Sequence, residues 1–230
     1  MTDVLVLHKI YMKETGFIDL RLYLKKREQI MSENSTLEYY NQNSKEFTSD
    51  TSDVTFTDIQ DYFLSYLKPG ALILDFGCGS GRDTKYFLSK GYRTEAIDGS
   101  EEMVKIASEN TGITVKKLLF EELEAKDRYD GIFACASILH VPYAKLPGIL
   151  TRIYNALKEN GIVYISFKYG SFEGERNGRY FTDMTEEKLN TLLKEVPGFV
   201  IEDVKITGDA RPGRSDEKWL NVILRKENYG

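Results

Sequence analysis

The stretch Leu74-Asp-Phe-Gly-Cys-Gly-Ser-Gly-Arg-Asp83 decides the fold. It comes after a short apolar run at residues 71–75, which is typical of a strand buried on both faces, and it leads into a helix predicted over residues 82–90. Glycines in such a turn let the backbone approach a ligand where side chains would collide. A dinucleotide fingerprint needs its third glycine at position 82, which is Arg82, and no phosphate-gripping Gly-Lys-Ser/Thr is present after the turn. The turn therefore favours a ligand that carries no phosphate.

A carboxylate comes directly after the next predicted strand, residues 93–97. Asp98 lies 17 positions beyond Gly81, about where a ribose-binding acid belongs in this architecture. Its oxygens can accept both ribose hydroxyl protons, and charge-assisted bonds of this kind are stronger than neutral ones. Taken singly, a Gly-x-Gly-x-Gly segment is typical of a tight turn, and a strand-end aspartate is typical of a helix N-cap or a surface charge. In this order and at this spacing, the two together predict a nucleoside-binding site.

Strands and helices alternate around this turn. Predicted strands cover residues 71–75, 93–97, 113–118, 129–134 and 162–167, and predicted helices cover residues 59–67, 82–90, 101–110 and 146–157. The alternation favours βαβ units and a parallel sheet with right-handed crossovers. After a polar stretch at 168–183 and a helix at 185–195, consecutive strands at 199–206 and 219–225 predict an antiparallel pair. We expect a single α/β domain, a Rossmann-like doubly wound sheet that is mostly parallel with an antiparallel C-terminal edge hairpin.

Composition narrows the function classes. The 230 residues carry a net charge of −5 with a sequence pI near 5.3, so the chain lacks the bulk attraction that dominates non-specific nucleic-acid binding. No apolar run approaches the ~20 residues needed to span a bilayer, and the first residues do not read as a signal peptide. Only two cysteines occur, Cys78 and Cys135, and neither has metal-ligand spacing. We expect a cytoplasmic protein without membrane or metal, either a monomer or a homodimer.

Four segments carry a resemblance to a known family: residues 75–81, 96–100, 129–134 and 157–161. Together they resemble the class I S-adenosylmethionine-dependent methyltransferases, particularly the small bacterial branch that includes tellurite-resistance-like enzymes. The resemblance implies S-adenosylmethionine as the cofactor and S-adenosylhomocysteine as the product.

The resemblance also divides the chain. Residues 35–230 are expected to form the methyltransferase domain, with a lid helix at 37–48, a cofactor-binding core at 59–167 and substrate-side elements at 168–230. Residues 1–34 do not resemble the rest of the chain and are interpreted as an N-terminal extension, with residues 1–30 either an accessory segment or the result of an upstream start choice.

The family pattern implies which residues bind the cofactor. The glycine turn faces the methionine moiety, Asp75 helps to orient that moiety, and Asp98 holds the ribose. The family's acidic residue near the adenine amine is replaced by Leu119, which implies that apolar packing around Phe120 holds the adenine. The expected cofactor-binding residues are Tyr40, Asp75, Gly77, Cys78, Gly79, Gly81, Asp98, Gly99, Ser100, Met103, Leu119, Phe120, Ala136 and Ser137.

Two further positions concern the reaction itself. The resemblance places Tyr40 of the lid near the sulfonium and carboxylate of the cofactor. His140, one of only two histidines, has two interpretations: a structural residue that bonds its loop, or a substrate-facing base, because an unperturbed histidine titrates near neutrality.

The rim of the substrate pocket is expected in the C-terminal part of the chain. Arginine pairs suit carboxylate or phosphate recognition, so a small acidic metabolite is a natural acceptor. The expected rim residues are Tyr169, Arg179, Tyr180, Arg211 and Arg214.

Three function classes are compatible with these expectations. The first is a methyltransferase that methylates a small molecule by in-line displacement, with the protein supplying alignment. The second is an RNA methyltransferase acting on tRNA, because aromatic and arginine side chains stack on splayed bases, although the net charge disfavours it. The third is a non-catalytic protein that binds S-adenosylmethionine and has kept the fold, since fold alone does not fix function.

Overall fold

The computed structural model describes residues 35–46, 48–49, 56–211, 213–214 and 216–227. The expected N-terminal extension, residues 1–34, lies outside the described residues. The α-helices of the described part are α1 (35–46), α2 (Thr57–Leu64), α3 (Arg82–Ser89), α4 (Glu101–Thr111), α5 (Leu146–Ala156) and α6 (Glu186–Lys194). The strands are β1 (Leu72–Phe76), β2 (Arg93–Asp98), β3 (Lys116–Lys117), β4 (Tyr129–Ala134), β5 (Leu157–Lys168), β6 (Glu173–Arg176), β7 (Arg179–Thr182), β8 (Phe199–Gly208) and β9 (Lys218–Lys226).

Seven of these strands form one sheet in the order β3-β2-β1-β4-β5-β9-β8. Neighbours from β3 to β5 pair in parallel, and β9 pairs antiparallel with both β5 and β8. The expected Rossmann-like sheet with a C-terminal antiparallel edge hairpin is therefore confirmed. The order reverses between β1 and β4, and this reversal is where α/β sheets open a crevice for ligands.

Helices cover both faces of the sheet, and its inner strands contribute apolar side chains to both. Along β1, Ile73 belongs to the buried cluster of Phe63 in α2 and Phe87 in α3 on one face, whereas Leu74 belongs to the larger cluster on the other face, which includes residues of α5 and α6. Phe133 of β4 lies at the centre of the first face, with its ring centroid 5.1 Å from those of both Phe63 and Phe87. This two-sided burial fixes the positions of the strand ends that carry the site.

Three elements differ from the sequence-based expectation. β5 begins at Leu157 rather than at residue 162. β3 has only two residues instead of the six expected at 113–118, because it is an edge strand that pairs with β2 through Lys116 and Lys117 alone. The polar stretch at 168–183, for which the sequence analysis predicted no strand, contains the β6–β7 hairpin. Asn177 and Gly178 form its turn with φ of +50° and +75°, and Asn-Gly is the residue pair that a tight hairpin turn favours.

Gly81→Ala should cost more unfolding free energy than Gly91→Ala. Both glycines have a left-handed φ, +82° and +83°, so an alanine at either position costs about 1–2 kcal/mol in backbone strain. A Cβ on Gly81 would lie 2.7 Å from Cγ2 of Thr111 and 3.2 Å from Cα of Ala107, whereas nothing lies within 4 Å at Gly91. Urea unfolding of both variants measures the difference, and equal losses would contradict a packing role for Gly81.

Candidate active site

A cavity of about 1150 Å³ lies at the carboxyl ends of β1, β2, β4 and β5. Its walls come from the turn after β1, the end of β2, helix α1, the β6–β7 hairpin and the loop between β8 and β9. The volume exceeds the roughly 300–1,000 Å³ typical of a pocket for one small ligand. Most of the expected site residues line it: Tyr40, Gly77, Cys78, Gly79, Asp98, Gly99, Met103, Leu119, Phe120, Ala136, Ser137, His140, Tyr169, Arg179, Arg211 and Arg214.

Hydrogen bonds tie the glycine turn to the end of β2. The N–H groups of Gly77 and Cys78 both donate to the carbonyl of Ile97 at 3.0 Å. The N–H of Gly79 donates to Oδ2 of Asp98 at 2.9 Å, and the N–H of Ser100 donates to Oδ1 at 2.8 Å. Burial raises the pKa of Asp98, and these backbone donors oppose that shift by stabilising the charged form. A carboxylate thus lies directly against the bare backbone of the turn, on the cavity wall.

An apolar slot adjoins Asp98. A Cβ added to Gly99 would lie 2.9 Å from Cδ2 of Leu37 in α1 and 3.1 Å from Cδ2 of Leu119, so the slot narrows at this glycine. The ring of Phe120 packs on Phe76 with centroids 4.6 Å apart and also lines the cavity. The expected adenine-side residues are therefore neighbours, and they present mainly apolar surface.

Four of the expected site residues do not line the cavity, and the structure gives each of them a supporting contact. Asp75 is buried behind the turn, where its Oδ2 accepts a 2.6 Å hydrogen bond from Thr84, and burial raises its pKa to about 8. Ser100 caps α4: its Oγ accepts from the N–H of Met103 and donates to Asn41 of α1.

The other two residues outside the wall are Gly81 and Tyr180. Gly81 lies at the start of α3, where its missing Cβ allows α4 to pack closely. The side-chain hydroxyl of Tyr180 donates to Glu173, while its backbone carbonyl receives a hydrogen bond from His140. These positions stabilise the site from behind its wall.

His140 is held at both ring nitrogens. Nδ1 lies 2.6 Å from the carbonyl oxygen of Tyr180, and because a carbonyl only accepts, Nδ1 carries the proton. Nε2 then accepts from the hydroxyl of Tyr40, 2.9 Å away. Burial lowers the pKa of His140 from 6.5 to about 4, and the nearby Arg179 contributes to that lowering. The imidazole is therefore neutral and orients the Tyr40 hydroxyl, which favours the structural interpretation of His140 over the base.

Two features near the turn were not anticipated from the sequence. Ala136 has φ of +49°, a conformation rare outside glycine that concentrates at functional sites, and its N–H donates to Ser166. The hydroxyl of Ser137 is buried without a hydrogen-bond partner among the described residues. Ser137 lies against the glycine turn, because its Cβ is only 2.6 Å from where a Cβ on Gly77 would be. An unpartnered buried hydroxyl at the glycine turn is a polar group that a ligand can satisfy.

Other residues missed by sequence analysis form an ion pair at the start of α3. Arg82 donates through Nε and Nη2 to both carboxylate oxygens of Asp83, at 3.1 and 2.9 Å, and Gln60 donates to Asp83 at 2.6 Å. The guanidinium also lies 4.1 Å from the ring centre of Phe56. No local signal marks this group, because Gln60 joins it from another helix.

The loop between β8 and β9 is fixed by its own ion pairs. Arg211 donates to both carboxylate oxygens of Asp209, at 2.8 and 2.5 Å, and Arg214 lies 3.8 Å from Glu217. Lys168 at the end of β5 pairs with Asp209 and Glu217. The expected arginine pair therefore lies on the cavity wall with both guanidinium groups already facing carboxylates.

The His140 imidazole should stay unprotonated down to about pH 5 in the folded protein. Between pH 6.5 and 4 the unfolded chain binds a proton at His140 that the folded chain does not, so acidification through this window makes the contribution of this one imidazole to the free energy of unfolding less favourable by about 3 kcal/mol. His140→Gln keeps a donor and an acceptor and should remove that part of the pH dependence.

Two measurements check this expectation. The NMR titration of the imidazole resonance that disappears in His140→Gln gives the pKa directly. Urea unfolding of the wild type and the variant at pH 7 and pH 4.5 gives the stability difference, in which shifts from other groups cancel. A folded-state pKa near 6.5 would contradict the neutral, buried assignment.

Comparison with known proteins supplies a family context. Residues 73–161 match the family model described as a methyltransferase domain. The ribosomal protein L11 methyltransferase of Lachnoclostridium phytofermentans is 28% identical over 177 residues, covering 71% of this chain and 49% of that protein. The chain thus spans about half the length of the curated relative it matches.

Solved structures share the fold. The 1,6-didemethyltoxoflavin-N1-methyltransferase of Burkholderia thailandensis, crystallised with 1,6-didemethyltoxoflavin and S-adenosylhomocysteine, is 24% identical with a TM-score of 0.67, covering 84% of this chain and 85% of that one. The magnesium protoporphyrin IX methyltransferase of Synechocystis PCC 6803, with bound S-adenosylhomocysteine, is 18% identical with a TM-score of 0.65, covering 83% and 97%.

Two searches of the described residues concern a membrane and a metal ion. None of their helices is both long and apolar enough to cross a bilayer. Their His, Cys, Asp and Glu side chains form no group of three or more that could hold a metal ion.

Proposed function

We propose that the protein methylates a small molecule bound in this cavity, with S-adenosylmethionine as the methyl donor, because residues 73–161 match a methyltransferase domain. The observation that carries the proposal is the contact between Gly79 and the Asp98 carboxylate at the end of the neighbouring strand. It sets a carboxylate beside a turn of bare backbone on the wall of one cavity, which supports the proposal that Asp98 binds a ribose.

The residues present fit the cofactor. Asp98 is positioned to accept from the ribose hydroxyls, and the slot of Gly99, Leu119 and Phe120 suits a flat adenine. At the glycine turn, the Ser137 hydroxyl has no hydrogen-bond partner among the described residues and suits the polar amino-acid end of S-adenosylmethionine. A positively charged sulfur makes the methyl group electrophilic, which is the chemistry the cofactor supplies.

The protein's own contribution is alignment and exclusion of water. Oriented reactants gain about 7–11 kcal/mol from proximity alone, so no dedicated base is required. Tyr40 of α1 is held by His140, and Arg179 of β7 donates to the Tyr40 hydroxyl at 3.5 Å. The N–H of Tyr180 donates to Thr36 of α1 at 3.0 Å. The lid helix and the hairpin are thus bonded to each other at the cavity, an enclosure that favours a small acceptor.

Asp98→Asn should weaken binding of S-adenosylhomocysteine by about 10- to 100-fold. Hydrogen bonds to a charged group contribute about 1.5–3 kcal/mol, and asparagine keeps the size of the side chain while removing its charge. Isothermal titration calorimetry measures the affinity. Glu101→Gln is the matched control, since Glu101 is an exposed acid on the adjacent helix, and it should change the affinity less than twofold. Unchanged binding in Asp98→Asn would overturn the cofactor assignment.

A macromolecular acceptor is the competing proposal. The relative named for ribosomal protein L11 favours a protein acceptor, whereas the two solved structures are named for small-molecule acceptors. An RNA acceptor is disfavoured by the net charge of −5.

When the protein is incubated with S-adenosylmethionine, a metabolite extract added as the source of acceptor should cause release of S-adenosylhomocysteine. Purified ribosomal proteins or tRNA added instead should not. Retention of tRNA on a filter should be weak already at 50 mM salt, because a net charge of −5 gives no bulk attraction to phosphates. Methylation of either macromolecule would replace the small-molecule proposal. A protein that binds the cofactor but releases no product with any of these samples would support the non-catalytic alternative.

A further inference from the structure

Arg179 differs from the other arginines of the cavity wall in having no acidic partner. Five arginines of the described residues line the cavity. Four of them form ion pairs: Arg82 with Asp83, Arg176 with Asp183, Arg211 with Asp209, and Arg214 with Glu217. Arg179 pairs with no described carboxylate, and its Nε is buried without any hydrogen-bond partner among the described residues.

Aromatic rings pack around the Arg179 guanidinium, and its cross-strand neighbour Arg176 is a second cation that already pairs with Asp183. Its guanidinium lies 4.6 Å from the ring centre of Tyr39, 5.3 Å from that of Phe181 and 5.9 Å from that of Tyr40. Its hydrogen bond to the Tyr40 hydroxyl is long at 3.5 Å. Aromatic faces attract a cation but accept none of the hydrogen bonds that a guanidinium can donate, whereas a carboxylate accepts two of them in parallel.

Contacts around the cavity also fix where the Arg179 guanidinium lies. Arg179 opens β7, and its neighbour Tyr180 holds His140, which in turn orients Tyr40. A guanidinium there faces the part of the cavity enclosed by the lid and the hairpin. Its planar donors match a carboxylate in a two-point contact, and its charge is unsatisfied by the described protein residues.

We propose that Arg179 is the carboxylate-binding residue of the cavity. The proposal rests on the proposed function and assigns a partner to the one wall arginine that the described residues leave without an acid. Two molecules could supply the carboxylate: S-adenosylmethionine, through its amino-acid end, or an acidic aromatic acceptor that packs against the rings of Tyr39 and Phe181.

Calorimetry with two pairs of probes separates these sources. The first pair is S-adenosylhomocysteine and 5′-methylthioadenosine, which share the nucleoside and the thioether but differ in the amino-acid end. The second pair is benzoate and benzamide, titrated into protein saturated with S-adenosylhomocysteine. The affinity for each probe is measured on the wild type, Arg179→Gln and Arg179→Lys. The control is Arg128→Gln, because Arg128 is an exposed arginine just before β4, at the end of that strand away from the cavity.

Arg179→Gln should weaken the carboxylate member of one pair at least tenfold and leave its neutral member within twofold. Loss with S-adenosylhomocysteine assigns the carboxylate to the cofactor, and loss with benzoate assigns it to the acceptor. Arg179→Lys keeps the positive charge but loses the planar pair of donors, so it should lose an intermediate amount of affinity. This second variant keeps the test valid if Arg179→Gln folds poorly. Arg128→Gln should match the wild type.

Equal weakening of both members of a pair would overturn the proposal, because Arg179 would then act through packing. Unchanged affinity for both carboxylates in Arg179→Gln would also overturn it. Neither result touches the proposed function, which fails instead if the wild type binds neither S-adenosylhomocysteine nor 5′-methylthioadenosine.

Discussion

The hydrogen bond from the Gly79 N–H to the Asp98 carboxylate joins the ends of two neighbouring parallel strands, and the rest of the site is arranged around it. It forms because β1 and β2 pair in register, Asp75 with Ala96 and Phe76 with Ile97, so that both strands end at the same edge of the sheet. Burial makes the ionised acid costly, and backbone donors from both sides reduce that cost. The same donors hold the acid where a ligand can reach it.

A second set of contacts converts this edge into an enclosed site. Tyr40 comes from the lid, His140 from the loop after β4, and the carbonyl of Tyr180 from the hairpin. Because the carbonyl can only accept, the proton position on the imidazole is fixed, and so is the direction in which Tyr40 donates. A neutral histidine in this position serves as a connector between three elements that are distant in the chain.

The arginines in the C-terminal third of the protein differ in the groups that surround them. The loop between β8 and β9 is stabilised by acids that occupy its arginines, with Asp209 receiving hydrogen bonds from Arg211 and from the indole of Trp219. Arg179, on the β6–β7 hairpin, is packed against aromatic rings instead. Arginines on one cavity wall therefore differ in whether a carboxylate already occupies their donors, and their neighbours decide which of them can bind a ligand.

Much of the fold could be predicted from the sequence alone, because apolar runs, glycine turns and capping residues act over a few neighbouring positions. The alternation of strands and helices, the turn at Gly77–Gly81 and the edge hairpin were all readable in this way. The β6–β7 hairpin also had a local signal, Asn177-Gly178, which sequence analysis did not use. What only the tertiary structure decided was pairing over long range. The contact of Tyr40 with His140 spans 100 residues, Gln60 reaches Asp83 from another helix, and Arg179 lacks, among the described residues, the acid that the other wall arginines have. Such pairings depend on where packed elements place side chains in space, and no short-range pattern encodes that.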